Sequence, residues 1–168
     1  AFGSEAYEQG QQTVVVGRDG RLSGDELSTA LIAGLRNSGR DVKDLGIVPT
    51  PVLYFATHFL GSSSGVMLTG SHNPPEYNGL KMVLNGDAMT GTAIHELRER
   101  LRMGNLLAGQ GDVDEIDLVA DYISRVSSDI NVERPLRLVV DCGNGSASDV
   151  APELLRELGC DVTELFCE

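Results

Sequence analysis

The apolar positions of this chain fall into short unbroken runs, separated by longer stretches with helical spacing. "TVVV" at 13–16 is a continuous β-branched run, as in a strand buried on both faces, and "GRD" turns the chain after it. Between 22 and 39, Leu27, Ala30, Leu31, Gly34 and Leu35 recur at helical spacing and define one apolar face. Ser23 with Glu26 spells a capping box there, Leu22 can staple against Leu27, and Gly39 is a stop. Further strands are predicted near 42–48, 64–69 and 79–84, with a helix at 49–60 whose first turn takes Pro51. A helix over 92–104 presents Ile94, Leu97 and Leu101. Another over 114–130 presents Ile116, Val119, Ala120, Ile123 and Val126.

Pro135 marks a boundary. Beyond it, 136–145 reads as a strand and a glycine turn, and 160–166 as a second strand. Between them, 146–159 reads as a helix with Ala151, Leu154, Leu155 and Leu158 inward. The pattern therefore predicts an α/β protein with a boundary near 135 and one β-α-β unit over 135–168. Below about 40 residues an isolated unit seldom buries enough surface to fold alone, so this one is expected to pack on the first domain, pair with a second copy, or fray.

Composition narrows the function classes. The chain is 41% hydrophobic, enough for a sizeable core, and its net charge of −12 argues against general nucleic-acid or anionic-membrane binding. A local basic pocket for one phosphate stays compatible with that charge. Cys142, Cys160 and Cys167 have no metal spacing and make no even disulfide set, so they are expected to be reduced and packed, which suits the cytoplasm. No apolar run reaches the length of a membrane span.

The chemistry concentrates in "TGSHNPPEYNGLK", Thr69 to Lys81, between two predicted strands. Gly70 permits unusual dihedrals before Ser71. Pro74 and Pro75 stiffen the backbone after Asn73 and steer Asn73 itself away from helical geometry. His72 adjoins the serine. Lys81, on the returning strand, is placed to reach a phosphate on it. From these residues alone, an ordinary turn and a functional loop fit equally well. A serine hydrolase fits poorly, for lack of a G-x-S-x-G elbow and of spaced triad partners. Arg18 and Arg21 are candidates to meet a phosphate at the site; the plainer role is that Arg18 and Asp19 brace the turn after the first strand. "DCGNGSAS" lacks the P-loop lysine and reads as a tight strand-to-helix turn. His58 and His95 are expected to be bystanders, and "GDVDEID" a solvated helix start.

Taken together, "VGRDGRLSG", "VPTPVLY", "GVMLTGSHNPPEYNGLK" and "VVDCGNG" resemble the α-D-phosphohexomutases, in the phosphomannomutase/phosphoglucomutase branch, in order along nearly the whole chain. The resemblance implies a three-layer α/β/α mixed-sheet first domain over 1–134 that bears a phosphoserine loop, followed by an incomplete second α/β domain over 135–168. Ser71 matches the serine that carries the phosphoryl group. His72 matches the loop histidine that places substrate or shuttles a proton, Lys81 the lysine near the transferred group, and Asn73 shapes the loop. It further implies a phosphosugar substrate, glucose 1,6-bisphosphate as activator, a monomeric full enzyme, and Mg²⁺ bridging the phosphoserine to an Asp-rich loop. Ser71, through its phosphate, is then the one metal contact expected in this chain. The family's first strand, metal loop and the loops that read the sugar have no match here. The chain alone is therefore expected to be a poor mutase, with self-association through its second unit as an option. The alternative is a truncated module that binds a phosphosugar or a protein without turnover.

Overall fold

Val14, Val15 and Val16 lie fully buried at the centre of the fold and divide between two cores. This alternation is the period of a strand covered on both faces. The computed structural model describes residues 1–168. Strands β1 (Thr13–Arg18), β2 (Asp41–Ile47), β3 (Gly65–Leu68), β4 (Leu80–Leu84), β5 (Asp87–Ala88) and β6 (Val113–Glu115) form one sheet in the order β5-β4-β3-β1-β2-β6. The pairs among β3, β1, β2 and β6 are parallel, while β4 and β5 return antiparallel at one edge.

Helices α1 (Phe2–Glu8), α2 (Gly24–Arg36) and α4 (Thr92–Met103) supply Phe2, Ala6, Leu35 and Leu97 to the core that holds Val14 and Val16. Helices α3 (Thr50–Phe59) and α5 (Val119–Asp129) supply Val52, Leu53, Ala56 and Ile123 to the core that holds Val15 and Met67. The result is the expected three-layer α/β/α mixed-sheet domain. Strands β7 (Arg137–Asp141) and β8 (Asp161–Leu165) form a separate parallel pair, linked by α6 (Ala151–Glu157). This unit packs on the first: Val150, just before α6, is buried in the core with Leu118 and Ile123, and Leu154 rests against it.

Several local expectations change. Residues 1–11, which the apolar pattern left without an element, carry α1; its Ser4 is buried and its hydroxyl accepts from the Leu107 N–H at 3.0 Å. The acidic stretch expected to begin a helix instead forms β6, which pairs with β2, and the helix starts only at Val119. Backbone pairing and polar contacts hold this edge: Lys43 meets Asp114 at 2.6 Å, and Asp41 accepts from the Asp112 N–H at 3.0 Å.

The capping box does not form. The Ser23 side chain makes no cap bond and donates instead to Asn78 Oδ1 at 3.1 Å, in the Ser71 loop. Leu22 is fully exposed, so there is no staple. On α2 only Leu35 of the predicted face is fully buried, and on α4 only Leu97; Ile94 and Leu101 face solvent. The helix predicted from 146 begins at Ala151, and its leucines are half-buried beside the buried Pro152.

Candidate active site

The C-terminal ends of β1 and β3 lie side by side, Arg18 opposite Leu68, so the turns leaving them meet. One is Asp19–Arg21; the other is the loop from Thr69 to Gly79. The loop is closed at its base, where the Thr69 N–H donates to the Gly79 carbonyl at 2.9 Å. Inside it, Asn73 N–H donates to Gly70 O and Tyr77 N–H to Pro74 O, both at 3.0 Å. Ser71 stands exposed in the left-handed region, at φ 51°. This conformation disfavours side-chain-bearing residues and persists only where surroundings impose it.

The surroundings are polar and specific. Asp19 accepts from Thr69 Oγ1 at 2.9 Å and from the Gly70 N–H at 3.1 Å. Thr69 Oγ1 in turn accepts from the Ser71 N–H at 3.0 Å. Arg21, its side chain only 13% exposed, pairs with Asp19 at 3.1 Å. Its guanidinium also donates to the carbonyls of Pro74 at 2.6 Å, Tyr77 and Asn73 at 2.9 Å, and Ser71 at 3.2 Å.

Ser71, His72 and Asn73 line an open cleft of about 690 Å³ with Asp19, Arg21 and Thr69. Its opposite wall is the Gly143–Ser146 turn of the second unit. There Gly143 and Asn144 both have positive φ, and Asp141 accepts from the Gly143 N–H at 2.9 Å. The geometry thus brings together the serine, its histidine neighbour, and one glycine turn that sequence reasoning read as only structural.

Other candidates stand elsewhere. Arg18 pairs with Asp25 at 2.9 Å and lines a different cleft, with Asp44 and Glu115. Lys81 lies on β4 opposite Met67; it is exposed, has no ion pair, and is not among the residues lining the cleft. Asn73 shapes the loop through its backbone, and its side chain makes no bond. His58 and His95 are exposed on helices away from the cleft. The brace of the turn is Asp19 with Arg21, not Asp19 with Arg18. The available signal was the spacing of Asp19 and Arg21, two residues apart beside a glycine, but nothing local said that their targets lay fifty residues on.

A phosphate-carrying serine would call for cations, and a divalent ion for several oxygen donors. The donor set here does not fit such an ion unaided. Asp19 is the only carboxylate lining the cleft, and its oxygens already accept from Arg21, Thr69 and Gly70. No group of three potential ligands occurs anywhere in the chain.

A serine loop braced at the end of a central strand, in an α/β/α sandwich, defines a class. The sequence model described as phosphoglucomutase/phosphomannomutase, alpha/beta/alpha domain I, matches residues 1–104, and the chain belongs to that family. It is 50% identical over its whole length to a phosphomannomutase/phosphoglucomutase of Pseudomonas aeruginosa, and covers 36% of that protein. It is 44% identical to a phosphoglucomutase of Neisseria meningitidis, covering 37% of it. The crystal structure of a phosphoglucomutase/phosphomannomutase family protein from Burkholderia thailandensis superposes with a TM-score of 0.93 at 48% identity, over 99% of this chain and 38% of that one. The chain thus spans little more than a third of the relatives it matches. No helix is long and apolar enough to cross a membrane.

Proposed function

We propose that this chain is the phosphoserine-bearing part of a phosphomannomutase/phosphoglucomutase. The observation that carries the reading is Ser71, an exposed hydroxyl in left-handed backbone, at the wall of a cleft, on a loop fixed by a network of polar contacts through Asp19 and Arg21. A rigidly presented hydroxyl is what transfer of one phosphoryl group to either end of a sugar requires.

In this reading the Ser71 Oγ–phosphorus bond breaks as a sugar hydroxyl bonds to the phosphorus, giving a bisphosphorylated hexose. The sugar then returns its other phosphate to Ser71, so hexose 1-phosphate and hexose 6-phosphate interconvert. The sugar hydroxyl's proton needs an acceptor, and the departing Ser71 Oγ needs a proton in return. His72, beside Ser71 in the cleft, is better placed for it than Lys81. Asn73 holds the loop's shape. Arg18 pairs with Asp25 and lines a different cleft, so this reading gives it no phosphate. Mg²⁺ and glucose 1,6-bisphosphate belong to the reading as cofactor and activator. The donors in this chain do not fit the ion alone. A phosphosugar partner, a monomeric full enzyme and a cytoplasmic setting complete the reading.

A chimera tests it. This chain replaces the matching 36% of the Pseudomonas aeruginosa relative, and glucose 6-phosphate formation from glucose 1-phosphate is followed by a coupled dehydrogenase. The chimera is expected to turn over, and Ser71→Ala within it to lose most activity with its melting temperature unchanged, since an exposed loop hydroxyl contributes little to packing. The chain alone is expected to be a poor mutase. A folded, inactive chimera would favour instead a module that binds a phosphosugar or a protein without turnover, the reading that the sparse metal donors support.

A further inference from the structure

We propose, resting on the reading of Ser71 as the phosphoryl carrier, that Arg21 is a positioning residue: its guanidinium clamps the Ser71 loop, and residue 70 is glycine so that the clamp can pass beneath it. A guanidinium carries five N–H donors in a planar fork. In Arg21 all five are used, one on Asp19 and four on the carbonyls of Ser71, Asn73, Pro74 and Tyr77. No N–H is left over to bind a phosphate.

The four carbonyls belong to a segment that has no strand or helix partner and whose residues 71–78 are all exposed. Apolar burial therefore cannot fix its shape. The side chain that joins these carbonyls is itself nearly buried, which is the arrangement of a preformed scaffold rather than of a ligand contact. Asp19 extends the same network to Thr69, Gly70 and, through Thr69, to the Ser71 amide.

Gly70 supplies the second line of argument. Its φ does not lie in the left-handed region; that conformation falls on Ser71. What glycine provides is space, because a Cβ on residue 70 would stand 2.2 Å from Arg21 Cζ and 2.4 Å from Nε. Arg21 and Gly70 thus form one device. Lysine cannot replace the arginine, since an ammonium offers three donors from one point and no fork.

The chain itself is the test material, with Arg21→Lys, Arg21→Ala, Gly70→Ala and the Arg21→Lys/Gly70→Ala double variant. Residue-resolved amide exchange reads the loop, with β1 and β3 as the internal control. Intact mass of the chimera with the Pseudomonas aeruginosa relative, carrying the same variants, reads phosphate uptake from glucose 1,6-bisphosphate with Mg²⁺. Each single variant is expected to speed exchange at Ser71, Asn73 and Tyr77 by about tenfold or more while β1 and β3 stay protected. The double variant should be no faster than the worse single one, because both substitutions break one contact. Uptake is expected to slow by about tenfold or more in Arg21→Ala and to recover in part with added guanidinium ion. Unchanged loop exchange, additive singles, or equal protection loss in β1 and β3 would overturn the clamp. So would wild-type uptake that the variants share. A wild-type chimera that takes up no phosphate counts against the reading of Ser71, and the exchange data then decide the clamp by themselves.

Discussion

The two units use the same β-α-β logic but bury it differently. In the first, both faces of the sheet are covered, and β1 and β3 are buried almost end to end. In the second, β7 and β8 have no fully buried residue, and Val139 and Leu165 are 66% and 46% exposed on the uncovered face. The second unit therefore draws its order from its seat on α5, through Val150 and Leu154, rather than from a core of its own. The cleft lies between a rigid wall and a weakly supported one.

Substitutions break this comparison in order of size. Leu53→Ala, in the centre of the first unit, should cost about 3–5 kcal/mol in a denaturant titration, because a fully buried leucine leaves a cavity. Val150→Ala should cost less, about 1–2 kcal/mol, and its signature should be local: amides of β7 and β8 lose protection while those of β1 and β3 keep theirs. Val139→Ala should change stability by no more than about 0.5 kcal/mol, as expected for an exposed position. Equal costs for Leu53→Ala and Val139→Ala would mean that the second sheet is as well packed as the first.

The smallest effect is chemical. Burial, followed by the neighbouring Cys167 thiol, pushes the Cys142 thiol up from an ordinary 9.0 to about 11. The fold thus favours the protonated form. Its contribution to stability is complete below about pH 9 and is lost as pH rises from there to about 11. Iodoacetamide at about pH 8 should therefore alkylate Cys142 more slowly in the folded chain than in urea. Equal rates would show that the second unit leaves this strand end open.

Legibility in the sequence divides along the same line. Val14 to Val16, the β3 run and the α3 pattern were readable because buried strands and helices write continuous or periodic apolar signals. Strand β6 was not, because its three residues are all exposed and it is held by backbone pairing and Lys43. The Ser23 cap failed because a distant partner, Asn78, claimed the hydroxyl. In the site, a stiff loop at Ser71 was legible from its glycine and prolines, while its reading as a functional loop rested on the family resemblance. The Arg21 clamp was not, since its targets are carbonyls, which carry no residue identity.

The claim that Ser71 is the phosphoryl carrier has one most direct test, phosphopeptide mapping of the chimera after exposure to glucose 1,6-bisphosphate and Mg²⁺. Phosphate is expected on the peptide holding Ser71, at that residue, and on no other serine. Nearby Ser62 and Ser64 are buried, and Ser64 Oγ already accepts from the Asn85 N–H at 3.1 Å. Phosphate on Ser62, Ser63 or Ser64, or a chimera that turns over with Ser71 never modified, would contradict the account.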